Sequence, residues 1–172
     1  MCTPSRFNDN EYKNWLKCNL ALIQFKKGLH EFIKTEVTNF HAHIQQEIAN
    51  IPCKSSVGNH CGSCTWKSIK YTGGQEGVWY INCPNKICDK WLSQILLEHN
   101  DPQNRYINWK NADISKWPTD GYEVVKVYMP KGQDRLKNLP DDFEIPAVLS
   151  LLKYCTWFTH KIQTTSIVSD VS

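Results

Sequence analysis

Two cysteine pairs, Cys61-Gly-Ser-Cys64 and Cys83-Pro-Asn-Lys-Ile-Cys88, constrain this chain more than any other feature. A tetrahedral zinc needs four thiolate or imidazole ligands that converge from two points on the chain, and cysteines two residues apart form a knuckle that presents both sulfurs to one ion. The second pair is looser, with four residues between its ligands, and stays within the spacing that structural sites use. Between the pairs lie 18 residues, a separation suited to a paired-cysteine zinc site. They read as a β-hairpin. Thr65 to Tyr71 carries Trp66, Ile69 and Tyr71, Val78-Trp-Tyr-Ile81 is a dense run of strand formers, and Gly73-Gly74 and Gly77 punctuate the middle. Residues 53–90 thus predict a zinc-ribbon-like insert holding one structural Zn2+ on Cys61, Cys64, Cys83 and Cys88. A ribbon this small has little core, so the metal would supply much of its folding free energy. Cys53 or His60 could replace Cys61 or Cys64, and four buried or disulfide-bonded thiols are the plainer alternative. A thioredoxin-type use of Cys61-x-x-Cys64 needs a βαβ setting that the sequence does not show.

Around the insert the pattern is helical. From Glu11 to about Asn50, Tyr12, Trp15, Leu16, Leu20, Ile23, Leu29, Phe32, Ile33, Phe40, Ile44 and Ile48 recur at three- and four-residue steps as one apolar stripe. Gly28 marks a bend or a close helix contact, and Pro52 closes the segment. His41 and His43 are two apart, which a helix does not place on one face, so they read as core-edge and surface histidines, with Glu47 a surface partner for His43. A second helix starts at or just after Cys88 and runs to about His99, where Asn100-Asp-Pro102 ends it. A third is expected over Thr119–Met129. A last, strongly apolar one runs from Pro146, a first-turn proline, to Phe158. Trp109 and Trp117 lie in the irregular stretch between, where they either pin the loop to the core or stack on a ligand. The fold class expected is mainly α, with a small β-hairpin zinc ribbon inserted between helices. Residues 11–158 form a single domain, and 1–10 and 161–172 are flexible tails.

At 172 residues the chain can build one substantial core. No secretory signal and no apolar run of spanning length is visible, so the eight cysteines are read as metal-bound or free thiols in the cytoplasm or nucleus. The formal charge of +3 falls to about +1 once four thiolates and a zinc are counted, so bulk charge does not support nucleic-acid binding, and a local patch would be needed. No phosphate-binding loop, dinucleotide fingerprint, nucleophile elbow or His-Glu-x-x-His motif occurs. Four cysteines also fill the zinc shell, leaving no place for a catalytic water. The chain is therefore read as a non-enzyme.

Glu11-Tyr-Lys-Asn-Trp15, Phe40-His41, the cysteine-rich insert, Ile107-Asn-Trp109, Trp117-Pro118, Tyr122-Glu-Val-Val-Lys126 and Met129-Pro-Lys-Gly132 carry a resemblance over most of residues 11–158. The chain resembles the uncharacterised animal family typified by the human X-chromosome open reading frame 38 protein. That resemblance implies a helical zinc region preceding a domain similar to the HEPN class, many of which act on RNA or in antiviral defence. The HEPN signature is an arginine followed within a few residues by a histidine, and Arg6, Arg105 and Arg135 have no such partner. The resemblance therefore brings a fold and a context, without a mechanism.

Two functions follow as expectations. The first is a zinc-binding interaction module that captures a protein partner through an aromatic-rich face. The alternative is a zinc-dependent RNA- or DNA-binding module in which Lys67, Lys70, Tyr71, Trp79 and Lys86 interleave cations with rings on the hairpin, as a single-strand platform requires.

Overall fold

The computed structural model describes residues 9–50, 61, 63–73, 77–101, 107–135 and 144–169. Within them the chain is mainly helical, with one two-stranded antiparallel hairpin. Helix α1 spans Asp9–Asn50, uninterrupted by proline. Strands β1 (Ile69–Tyr71) and β2 (Trp79–Ile81) pair with Ile69 opposite Ile81, Lys70 opposite Tyr80 and Tyr71 opposite Trp79. Helix α2 spans Ile87–Leu97, α3 Gly121–Val125, α4 Ile145–Tyr154 and α5 Thr156–Ser169.

One apolar core unites the parts. In the second half of α1, Ile33, Val37, Phe40 and Ile44 recur at three- and four-residue steps and are fully buried. Phe40 anchors a ring cluster with Tyr128, Trp157 and Phe158 at centroid distances of 5.9–6.3 Å. The first half of the same stripe behaves differently. Tyr12, Trp15, Leu16, Leu20 and Ile23 are 42–60% exposed, so the helix leaves the body at about Leu29 and projects. Gly28 makes no close contact, since a Cβ there would meet nothing within 4 Å.

The short α3 crosses α1 where Gly121 lets the backbones approach. A Cβ at this position would sit 2.8 Å from His41 Cβ and 3.1 Å from the Val37 side chain. The helix expected over Thr119–Met129 is shorter because Asp120 caps it, its carboxylate accepting from Tyr122 N at 2.9 Å, and Lys126–Tyr128 tighten into a 3-10 turn. Trp109 and Trp117 pin their loop to the core. Their centroids are 6.2 Å apart, His41 Nε2 donates to the Trp117 carbonyl at 2.7 Å, and Gln45 Nε2 donates to the Pro118 carbonyl at 2.9 Å. His41 thus sits at the core edge, as expected. His43 instead faces Glu98 at 3.5 Å and stacks on Trp157.

The last apolar segment is two helices, a difference from the single helix expected. Cys155 is extended and bridges antiparallel to His99. Asn100 N donates to the Tyr154 carbonyl and Thr156 N to the Glu98 carbonyl, both at 2.9 Å, so tertiary bonds take over groups that a continuous helix would pair internally. Residues 161–169, expected as tail, continue α5.

Candidate metal centre and adjoining cleft

Four cysteines meet at the junction of the hairpin and α2. The sulfurs of Cys61, Cys64, Cys83 and Cys88 all lie within 4.8 Å of one another, and the four residues are buried. Each is supplied by a local device. Cys61 and Cys64 flank a tight bend before the 3-10 turn Trp66–Ser68. Cys83 follows β2, and the chain then turns through Lys86, whose φ of 58° is the left-handed conformation, into α2. That turn is closed by Lys86 N donating to the Cys83 carbonyl at 3.1 Å. It brings Cys88, in the first helical turn, back toward the other sulfurs. Asp89 completes the junction, accepting from Cys83 N at 3.3 Å.

The donor set fits a tetrahedral metal ion. Zinc–sulfur bonds of about 2.3 Å place the sulfurs of a tetrahedron about 3.8 Å apart. The Cys61 and Cys83 sulfurs are 3.5 Å apart, close to that spacing and far beyond a disulfide bond. All four thiols are free. Burial pushes Cys64 up to about 12 and Cys88 well above its ordinary value, each helped by the neighbouring sulfurs. Burial also pushes Cys61 up, but the Ser63 hydroxyl and the backbone N–H groups of Ser63 and Cys64 outweigh it and hold this thiol at about 6. Four would-be anions in one small volume are compatible only when a cation compensates them. Cys53 and His60 lie outside the described residues.

Beside the cluster opens a cleft of about 780 Å³ between the hairpin and the turns at 107–111 and 131–135. Its rings are Trp66, Trp79 and Trp109, and its cations are Lys67, Lys70, Lys110, Lys131 and Arg135, against one carboxylate, Asp134. Trp79 and Trp109 meet edge to face at 5.7 Å, and Lys67 Nζ lies 5.8 Å over the Trp66 ring. Of the five hairpin residues predicted for nucleic acid, Lys67, Lys70 and Trp79 line this cleft. Tyr71 is half-buried and packs on Trp79 at 5.0 Å. Lys86 is exposed at the metal-side turn, away from the cleft lining.

Asn111, which periodicity and motif both passed over, shapes the far wall. Buried to 2% exposure, it donates through Nδ2 to the carbonyls of Lys126, Met129 and Pro130 and accepts at Oδ1 from Gly132 N and Gln133 N. The turn that presents Lys131 is therefore held by the Asn111 side chain, joined by Asn108 Nδ2, which donates to the Met129 carbonyl at 2.6 Å. A second buried device lies behind it. Lys126 Nζ meets Glu123 Oε1 at 2.6 Å while Glu123 Oε2 accepts from Asp113 N at 2.7 Å.

No helix among the described residues is long and apolar enough to cross a membrane. No solved structure matches the chain. A mouse protein printed as "Uncharacterized protein CXorf38 homolog" is 30% identical over 154 residues, which is 90% of this chain and 44% of that protein. The chain therefore spans less than half the length of this relative. Residues 6–171 match the domain of unknown function DUF4559. Nearly the whole chain is covered by both comparisons, and the protein belongs to the DUF4559 family.

Proposed function

We propose that the chain is a non-enzymatic, intracellular binding module in which zinc staples a hairpin to a helical body and the cleft beside it takes single-stranded RNA or DNA. Cys61, Cys64, Cys83 and Cys88 would hold the ion. When bound it supplies charge compensation and a covalent-strength tie between the hairpin and α2, and its four sulfur ligands leave no position for a reacting water. The protein's own residues do the binding.

The observation that carries this reading is the composition of the cleft: three tryptophans and five cations against one carboxylate, gathered from three separated segments of a chain whose formal charge is only +3. Cations following a phosphate backbone beside a ring open to stacking are what sequence-tolerant single-strand binding requires, and Trp66, 38% exposed, is the ring so placed, while Trp79 is half-buried and Trp109 is buried. The hairpin adds Tyr80, paired opposite Lys70 and 41% exposed. Binding through this cleft also ties ligand to metal, because Lys67, Lys70 and Trp79 sit on the segment that the four cysteines close.

The test is fluorescence anisotropy of zinc-loaded protein with labelled single-stranded RNA and DNA, alongside the double variant Lys67→Glu, Lys131→Glu. The two lysines enter the cleft from different segments and are exposed, so the variant should fold normally and bind at least tenfold more weakly. Equal affinity in the variant would remove the cleft from consideration.

A further inference from the structure

The projecting half of α1 repeats, in solvent, the face that its other half buries. At 100° per residue, Tyr12, Trp15, Leu16, Leu22 and Ile23 fall on the same side of the helix as Ile33, Val37, Phe40 and Ile44. The first five are 42–60% exposed and the last four are buried. An apolar face of this extent on one helix calls for a partner. Two polar residues interrupt it: Asn19 near its centre and Lys26 near the body, with Lys27 on one flank and Glu11 on the other.

We infer that this face pairs with the same face of a second copy, antiparallel, with Asn19 on the two-fold axis. The charge pattern makes the choice of occupant and direction. A two-fold centred on Asn19 sets Trp15 beside the partner copy's Leu22 and Leu16 beside its Ile23. The same symmetry sets Glu11 beside Lys26 and Tyr12 beside Lys27, and every such contact occurs twice. The ends of the segment are thus self-complementary, acid against lysine and ring against lysine. A parallel pair would instead oppose Lys26 to Lys26 and Glu11 to Glu11. Asn19 facing its own copy is the polar residue that fixes register at some cost in stability. The overlap, residues 9–29, spans about 30 Å and ends where α1 enters the body, so the two bodies lie at opposite ends of the helical pair without meeting.

Light scattering and sedimentation equilibrium on the full zinc-loaded chain should show a concentration-dependent dimer. Trp15→Glu with Leu22→Glu, both on exposed positions, should weaken it at least a hundredfold while leaving the helical circular dichroism of the body in place. Glu11→Lys should weaken it several-fold, and adding Lys26→Glu should restore it, a rescue that loss of structure would not give. Direction is read by cross-linking with Cys2, Cys18 and Cys53 replaced by serine. Asn19→Cys should form a disulfide-linked dimer under mild oxidation. Lys26→Cys should not, because its two copies would be about 21 Å apart, whereas a parallel pair would oppose them. A monomer at every concentration, a dimer indifferent to the glutamates at 15 and 22, or ready cross-linking through Lys26→Cys would each overturn the inference. The first outcome would leave the face to a different protein.

Discussion

Asn111 is the residue whose loss should be felt furthest from its own position. Five backbone groups bond to its amide, and of these the Met129 carbonyl also accepts from Asn108 Nδ2 and the Lys126 carbonyl from Met129 N. Asn111→Ala should cost about 3 kcal/mol in chemical denaturation, because several buried groups lose partners at once. The buried pair beneath it makes a companion case. Lys126→Met leaves Glu123 charged and buried at 8% exposure, and a loss of about 3–5 kcal/mol is expected by the same measurement. His99 supplies a pH response. Burial lowers it below its ordinary value of 6.5, Asp101 N donates to its Nδ1 at 2.9 Å, and its ring stacks between Tyr128 and Tyr154. The folded chain keeps the neutral imidazole, so on acidification the unfolded chain takes up the proton first. Stability is whole above about 6.5 and declines as pH falls toward the folded value. Thermal melts between neutral pH and about pH 5.5 should therefore fall more steeply for the wild type than for His99→Gln, which has no proton to gain. Parallel slopes would show that His99 carries no linkage.

At the scale of elements, the four-cysteine cluster joins hairpin to helix. Cys83→Ser or Cys88→Ser should abolish stoichiometric zinc and unpair β1 from β2, while the ring cluster about Phe40 persists. X-ray absorption of the zinc-loaded protein should show four sulfur ligands at about 2.3 Å, and a nitrogen scatterer would bring in His60. Crossing α3 over α1 depends on Gly121, where alanine should cost about 1–3 kcal/mol by overpacking against Val37 and His41. These elements were unevenly legible in the sequence. Cysteine spacing reported the cluster, because two close pairs on either side of a hairpin meet once its strands pair. Helix periodicity reported α1 and α2 but could not say which half of α1 would find a partner, since the apolar stripe is the same in both. The break at Cys155 left no local signal. It is imposed by Glu98 and Asn100, more than fifty residues away, whose backbone groups displace helical ones. Asn111 was silent for a similar reason, as one asparagine in a polar loop becomes a clamp only after the turn at 129–133 has folded around it.

For the whole molecule, the motifs on which the sequence resemblance rested are mostly structural. Trp117-Pro118 is where α1 grips the loop, and Glu123 and Lys126 form the buried pair. Met129-Pro-Lys-Gly132 is the turn that Asn111 clamps. Together they place Lys131 and Arg135 across the cleft from the hairpin, so the same framework that stabilises the body would also shape the proposed binding surface. The hairpin residues Lys67 and Lys70 were visible as candidates in the sequence. Lys110, Lys131 and Arg135 were not, because only the fold brings their segments to one place. The central claim is that these cations act together on a phosphate backbone, and the salt dependence of binding measures it most directly. For single-stranded RNA, a plot of log affinity against log salt should have a slope of about −3, as four or five released counterions require. Lys67→Glu with Lys131→Glu should make that slope shallower by more than one. A slope near zero, or one that the double variant leaves unchanged, would contradict the account.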